Sequence, residues 1–214
     1  MINKDILIRK VEEAIEYGKG RKFIQSIDLQ VVFKGLDPKS PEARFRDVVY
    51  LPKGLGKKPV ICVVADGEMA LKAKEAADLL ITREEIQSID KKKAKKIASQ
   101  CDWLLVKVDL MGVVGRVLGP ALGPRGKAPI PVPANADIIA QINYYRSAIR
   151  LRNKEQPFVS CRVGTENMKP EDLAENIVAI LNYLENKIKM PLEQFVNYIV
   201  IKTTMGPPVR VDLR

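Results

Sequence analysis

A chain of 214 residues, 46% of them hydrophobic, is long enough for one large or two small domains with real cores, which excludes a disordered protein. Its net charge of +10 points to an anionic partner, nucleic acid ahead of an acidic protein or a membrane surface, with a merely soluble basic protein as the alternative. With no histidine, the chain lacks the commonest general base and metal ligand.

In chain order, Asn3 or Asp5 caps a first helix that runs to about Tyr17 on a stripe including Ile6, Val11 and Ile15, and Gly18 and Gly20 end it. A basic turn with one aromatic, Gly20-Arg21-Lys22-Phe23, leads into a strand at 24–33, where Ile27, Leu29 and Val31 alternate with Ser26, Asp28 and Gln30. Asp37-Pro38-Lys39-Ser40-Pro41 reads as a loop and 45–51 as a partner strand ending at Pro52. Pro52-Lys53-Gly54-Leu55-Gly56-Lys57-Lys58 has the composition of a hinge, with backbone freedom at Gly54 and Gly56.

Beyond it the pattern changes. Residues 59–65 form a continuous apolar run, as in a strand buried on both faces. Residues 67–79 read as an Ala-rich helix, 79–82 as a short strand, 83–99 as one charged helix with lysines at 91–93 and 95–96, and 103–108 as a second buried strand. This alternation predicts a small parallel sheet with helices on both faces. A helix at 111–118 follows; then four prolines between Pro124 and Pro133 forbid regular structure. Residues 137–147 read as helical, and 149–157, with Arg152, as a second linker. A strand at 158–163, a helix opened by Pro170 and reaching about Lys189, and a strand at 195–201 close the series.

The fold class is therefore two-domain α/β. Domain I is an α+β two-layer sandwich built from both chain ends, 1–54 and 153–214. Domain II, 55–152, is a Rossmann-like, parallel-sheet α/β insertion joined by two hinge strands that include Gly54, Gly56 and Arg152. The insert holds 17 basic against 10 acidic side chains, so most of the positive field is expected there.

The last strand runs into Lys202-Thr203-Thr204-Met205-Gly206-Pro207-Pro208. This is a rigid platform offering two hydroxyls, a thioether, bare backbone and one cation. It suits holding something polar and gives no means of moving protons, so no catalytic residue is assigned; the plain alternative is a strand entering a Pro/Gly turn. Asp66-Gly67-Glu68-Met69 lacks G-x-G-x-x-G, and the prolines of Gly119-Pro120-Ala121-Leu122-Gly123-Pro124 remove donors a phosphate cradle needs, which argues against a cytosolic nucleotide-using enzyme. Scattered carboxylates give no metal site, and no cofactor is implied. The Lys91–Lys96 run reads as a solvated helix face, and the few aromatics give little support for a base-stacking sheet. Cys62, Cys101 and Cys161 lie far apart in or beside apolar runs, so buried free thiols in a reducing cytosol are expected. No 18-residue apolar stretch exists, and Met1-Ile2-Asn3-Lys4-Asp5 does not begin a signal peptide, so no membrane partner is expected.

Asp109-Leu110-Met111-Gly112-Val113-Val114-Gly115, followed by Leu118-Gly119-Pro120 and by Gly123-Pro124-Arg125-Gly126-Lys127-Ala128-Pro129, resembles the signature of the universal large-subunit ribosomal protein L-one family, the mobile-stalk protein. Lys22-Phe23, Leu51–Lys57, Val163-Gly164 and Thr203–Pro207 fall in the family's order, so the resemblance covers nearly the whole chain. The short N-terminus and residues 36–46 look archaeal. Tyr198 and Ala128 depart from the family pattern. The resemblance implies a non-enzymatic constituent of the large ribosomal subunit in the cytoplasm. It implies binding to large-subunit rRNA near the tRNA exit site, help in releasing exit-site tRNA, and repression of translation through its own mRNA, with a monomer when free of the ribosome. By motif position, Lys22, Phe23 and Ser26 would form one side of the RNA site and Thr203, Thr204, Met205 and Gly206 the other. The hydroxyls of Thr203 and Thr204 would meet RNA, Gly206 would admit its backbone, Met205 would pack on a sugar or base or else be an exposed core plug, and Phe23 would either stack on RNA or, the favoured reading, buttress the platform from beneath. A free translational repressor with no ribosomal role is the remaining reading.

Overall fold

Asn3 accepts a hydrogen bond from the Asp5 amide at 2.9 Å and so starts the helix Lys4–Gly18 (α1), which buries Leu7, Val11 and Ala14 on one face. A computed structural model gives this and the rest of the fold, describing residues 3–37, 40, 44–153 and 155–212. Pro38, Lys39 and Pro41 of the expected loop, and Lys154 of the expected second linker, lie outside the described residues. After α1 come Ser26–Phe33 (β1), Arg46–Tyr50 (β2), Ile61–Val64 (β3), Gly67–Ala76 (α2), Leu79–Ile81 (β4), Arg83–Gln87 (α3) and Lys91–Gln100 (α4). Trp103–Lys107 (β5), Met111–Val117 (α5), Gly119–Leu122 (α6), Ile130–Val132 (β6) and Ile138–Arg146 (α7) follow. Then come Ala148–Arg152 (β7), Phe158–Thr165 (β8), Pro170–Ile188 (α8), Leu192–Phe195 (α9), Val196–Thr203 (β9) and Val209–Val211 (β10).

The chain divides into two compact units, an outer one of Met1–Lys57 with Ser147–Arg214 and an inner one of Lys58–Arg146. The fold is two-domain α/β. In the outer unit six antiparallel strands lie in the order β10-β9-β1-β8-β7-β2. β1 buries every second residue, Ile27, Leu29, Val31 and Phe33, beneath α1 and α8, and α8 answers with Leu173, Ile177, Ile180 and Leu184. Each such side chain taken fully out of water contributes about 1.5–3 kcal/mol. One polar group interrupts that stripe. Asn176, fully buried on α8, donates to the carbonyls of Gly54 at 2.8 Å and Val163 at 2.9 Å and accepts from the Lys53 amide at 3.0 Å. Cys161, on the buried face of β8, is a free thiol whose pKa is pushed well up by burial and then by the nearby Asp28 carboxylate.

The inner unit holds the parallel sheet β4-β3-β5-β6, whose central strand β3 is buried along its whole length. Its fourth strand, β6, corrects the expectation of irregular chain from Pro124 to Pro133. Pro131 sits opposite Val106 on an edge strand, the one place where a missing N–H is tolerated. The single charged helix expected at 83–99 is two helices. The Asp90 side chain accepts from the Lys93 amide at 2.8 Å and starts a new helix where the old pattern would have run on. The expectation of three free thiols is also corrected. Cys62 on β3 and Cys101 after α4 form a disulfide, the strand bringing their Cα atoms to 5.7 Å across 39 residues.

The second linker expected at 149–157 begins instead as β7, paired with β2 from Arg46↔Arg152 to Tyr50↔Ala148. Gly54 and Gly56 also belong to the outer unit; a Cβ on Gly56 would come within 2.2 Å of Thr165 Oγ1. With Lys57, Arg150 and Arg152 on the outer side, the charge balance reverses. Residues 58–146 hold 14 basic and 10 acidic side chains and the outer unit 22 and 16, so the outer unit carries +6 and the inner +4. Among the described residues no helix is long and apolar enough to cross a membrane.

Candidate nucleic-acid interface

The two sequence-remote stretches 22–26 and 203–206 meet. β1 begins and β9 ends at the same edge of the pairing, with Ile27 opposite Thr203 and the Thr204 amide donating to the Ser26 carbonyl at 3.0 Å. The Ser26 amide donates to the Thr204 hydroxyl oxygen at 3.2 Å, so that hydroxyl is already engaged with backbone while remaining exposed. Lys22 is exposed beside it, and Ser26 is half-buried.

Three assignments made from sequence change here. Thr203 is fully buried, and its hydroxyl has no hydrogen-bond partner. It shares the inward parity of Ile199 and Ile201, so it cannot be presented to a ligand. Gly206 is small for an internal reason: a Cβ there would lie 2.2 Å from Thr203 Oγ1, and one on Gly18 would lie 2.4 Å from the same atom. The turn therefore closes over Thr203, and packing by itself requires the absent side chain. Phe23 does not buttress from beneath. It is 51% exposed, next to Ile24 at 62%, with Met205 at 56% and Tyr17 at 57% on the adjoining turn and helix end.

Gln25 organises the platform and was missed from sequence. It is 1% exposed, yet makes five hydrogen bonds, one of them through its carbonyl, which accepts from the Glu166 amide at 3.0 Å. Its side-chain N–H groups donate to the Gly18 carbonyl at 2.7 Å and to Glu166 at 3.1 Å, its own amide donates to Glu166 at 2.8 Å, and its Oε1 accepts from the Met205 amide at 3.0 Å. One buried amide thus ties the end of α1, the start of β1, the turn after β8 and the 203–206 turn into one body. The signal was present: Gln25 has the parity of Ile27, Leu29 and Val31, a polar residue at an inward position.

The signature between Asp109 and Pro129 serves its own unit. Lys127 Nζ donates to the carbonyls of Cys101 at 2.6 Å and Ala98 at 3.2 Å, closing the end of α4, and Arg125 donates to the Ala121 carbonyl at 3.0 Å and to Ser99 Oγ at 3.1 Å. Lys107 donates to Asp66 at 2.6 Å, and that bond holds the Asp66 carboxyl below its ordinary pKa. The lysines of α4 at 91–93, 95 and 96 are exposed. Among the described residues no group of three His, Cys, Asp or Glu side chains could hold a metal ion.

The profile of the Ribosomal protein L1p/L10e family matches residues 13–207. The chain is similar to the large ribosomal subunit protein uL1 of Staphylothermus marinus, 53% identical over 210 residues that cover 98% of this chain and 97% of the relative. It is 50% identical over 215 residues to that of Hyperthermus butylicus, covering 100% and 99%, and 44% identical over 214 residues to that of Archaeoglobus fulgidus, covering 99% of each.

Proposed function

Because the chain belongs to the Ribosomal protein L1p/L10e family, whose members carry no enzymatic activity, we propose that it is a structural component of the large ribosomal subunit that binds rRNA through the platform. The observation that carries this reading is the meeting of 22–26 with 203–206 around a buried Gln25. Lys22 supplies a cation and Thr204 and Ser26 supply hydroxyls. Met205 and Phe23 supply apolar and π surface. Thr203 and Gly206 act from within, fixing the turn. Such a surface reads the shape and sugar edges of folded RNA more than its base sequence. The same chemistry would accept a similar element in the protein's own mRNA, and a stalk position would let it bear on exit-site tRNA.

The hinge role assigned from sequence to Gly54, Gly56 and Arg152 passes to the two places where the chain crosses between units, Lys57/Lys58 and Arg146/Ser147. Sequencing RNA crosslinked to the protein in cells tests the function. Reads concentrated in large-subunit rRNA support it. Reads confined to the protein's own message would make it a free repressor, and reads with no enrichment would refute RNA recognition.

A further inference from the structure

The outer sheet has two faces, and among the described residues α1 and α8 both pack on one of them. On the other face, side chains directly opposite one another form rows across the strands. One row is Tyr198–Val32–Phe158, from β9 through β1 to β8. A second runs from Arg210 on β10 through Val200, Gln30 and Ser160 to Arg152 and Arg46 on β7 and β2. A third is Lys202–Asp28–Arg162. The face thus carries Tyr198 and Phe158 with one strand between them and the exposed Tyr50 at the β2 edge, with cations towards both edges, Asp28 within the third row and Asp212 paired with Arg210 at 2.8 Å. None of its aromatic or basic side chains is fully buried, and Arg46 and Arg210 are exposed. The Arg210 guanidinium lies 4.1 Å over the Tyr198 ring, held there by donating to Asp212 at 2.8 Å, so on that side a base would meet the guanidinium plane stacked on the ring.

We propose that this open sheet face binds single-stranded RNA, with bases stacking on Phe158 and on the Tyr198–Arg210 pair and phosphates meeting Lys202, Arg152 and Arg46. The inference rests on the RNA-binding reading of the chain and assigns a second surface, distinct from the platform at the strand ends. Three observations favour a single strand over a duplex. Tyr198 and Phe158 stand on inner strands of the sheet, where an unpaired base can reach them. The cations flank them at distances set by the strand spacing, about 24 Å across six strands. The central row of the basic ladder, Val200, Gln30 and Ser160, is uncharged and leaves room for a base between phosphate sites. The scarcity of aromatics argued against such a sheet from sequence; two suffice because the register places both on one face.

The test uses the full chain, a 12-residue oligouridylate carrying 4-thiouridine, and transcribed large-subunit rRNA as separate probes. Oligouridylate binding should weaken by about fivefold or more in Phe158→Leu. In Arg46→Ala/Arg152→Ala, whose surface changes leave the core untouched, the slope of log affinity against log salt should fall by about 1.4. Lys92→Ala/Lys93→Ala should leave the oligouridylate slope within about 0.3 of the wild type. Crosslinked peptides should contain Tyr198 or Phe158. The proposal is overturned if both sheet-face variants bind oligouridylate like the wild type, or if crosslinks map only to the Phe23 and Met205 peptides. If oligouridylate is not bound while rRNA is, the sheet-face inference falls and the platform reading stands; if neither RNA is bound, both fall.

Discussion

The platform at 22–26 and 203–206 and the lysine face of α4 are both candidates for an RNA surface, and they are built in opposite ways. The α4 face is charge without shape: five lysines on the outer side of a ten-residue helix, held to its unit by Ala94 and Ala98. The platform is shape with little charge. Its outline comes from parts that never reach the surface, the Gln25 amide, the Thr203 side chain and two glycines that leave room for it. Long-range attraction depends on the first kind of surface and discrimination on the second.

The largest effect expected is one that separates the two. Reducing Cys62–Cys101, or replacing both by Ala, opens a loop of 39 residues around the strand–helix segment that ends with α4. Loop entropy puts the cost at about 4 kcal/mol. Hydrogen exchange should show protection lost in β3, α4 and β5 while β1 and β9 keep theirs. Equal loss in both regions would mean that the two surfaces do not stand on independent cores.

Next comes Gly206→Ala, which drives a Cβ against Thr203 and should cost about 1–3 kcal/mol of stability by overpacking. Affinity for large-subunit rRNA should fall by more than tenfold, because the turn that carries Met205 must move. Adding Thr203→Ala should recover part of both losses, and strict additivity in that double-mutant cycle would contradict the close packing.

A smaller change is Thr204→Val, which keeps volume and removes the acceptor of the Ser26 amide. Stability should drop by about 0.5–1.5 kcal/mol. Binding titrations against Lys92→Ala/Lys93→Ala then rank the surfaces: the valine variant should lose affinity at every salt concentration, the lysine variant chiefly at low salt. The reverse ranking would make charge on α4 the determinant.

The smallest effect concerns Asp28, whose pKa is raised by burial above its ordinary 3.8, the pull of Lys202 and Arg162 offsetting part of that rise. A carboxyl raised in the folded state binds its proton more readily there than in the unfolded chain. Its contribution to stability therefore falls as pH rises from about 3.8 through the folded value and then levels off. Asp28→Asn should raise the Tm slightly at pH 7 and lose that advantage below about pH 4, a difference readable by calorimetry.

Period and composition made most of this legible. The alternation in β1, the Pro170 start of α8 and the unbroken apolar run of β3 each point to the element that forms. The parity of β9 also tells the two threonines apart, Thr203 inward with Ile201 and Thr204 outward, though hydroxyls at a strand end are easily read as a matched pair. β7 was hidden because Arg150 and Arg152 made a strand look like a linker; their positions became informative only once β2 and β8 stood on either side. The disulfide could not be found, since three cysteines allow three pairings and the choice depends on where two strands of one sheet bring their ends. Gln25 and Asn176 follow one rule, a polar residue at an apolar position, but their partners are backbone groups remote in sequence.

Cys161 has a practical consequence. In the oxidised protein it is the single free thiol, buried under the sheet and held in its unreactive protonated form by its surroundings. An alkylating reagent can modify it only when β8 parts from its neighbours, so the labelling rate clocks the opening of the outer unit. Run with and without bound RNA, that clock would report how firmly a ligand clamps the sheet, with no engineered probe in the chain.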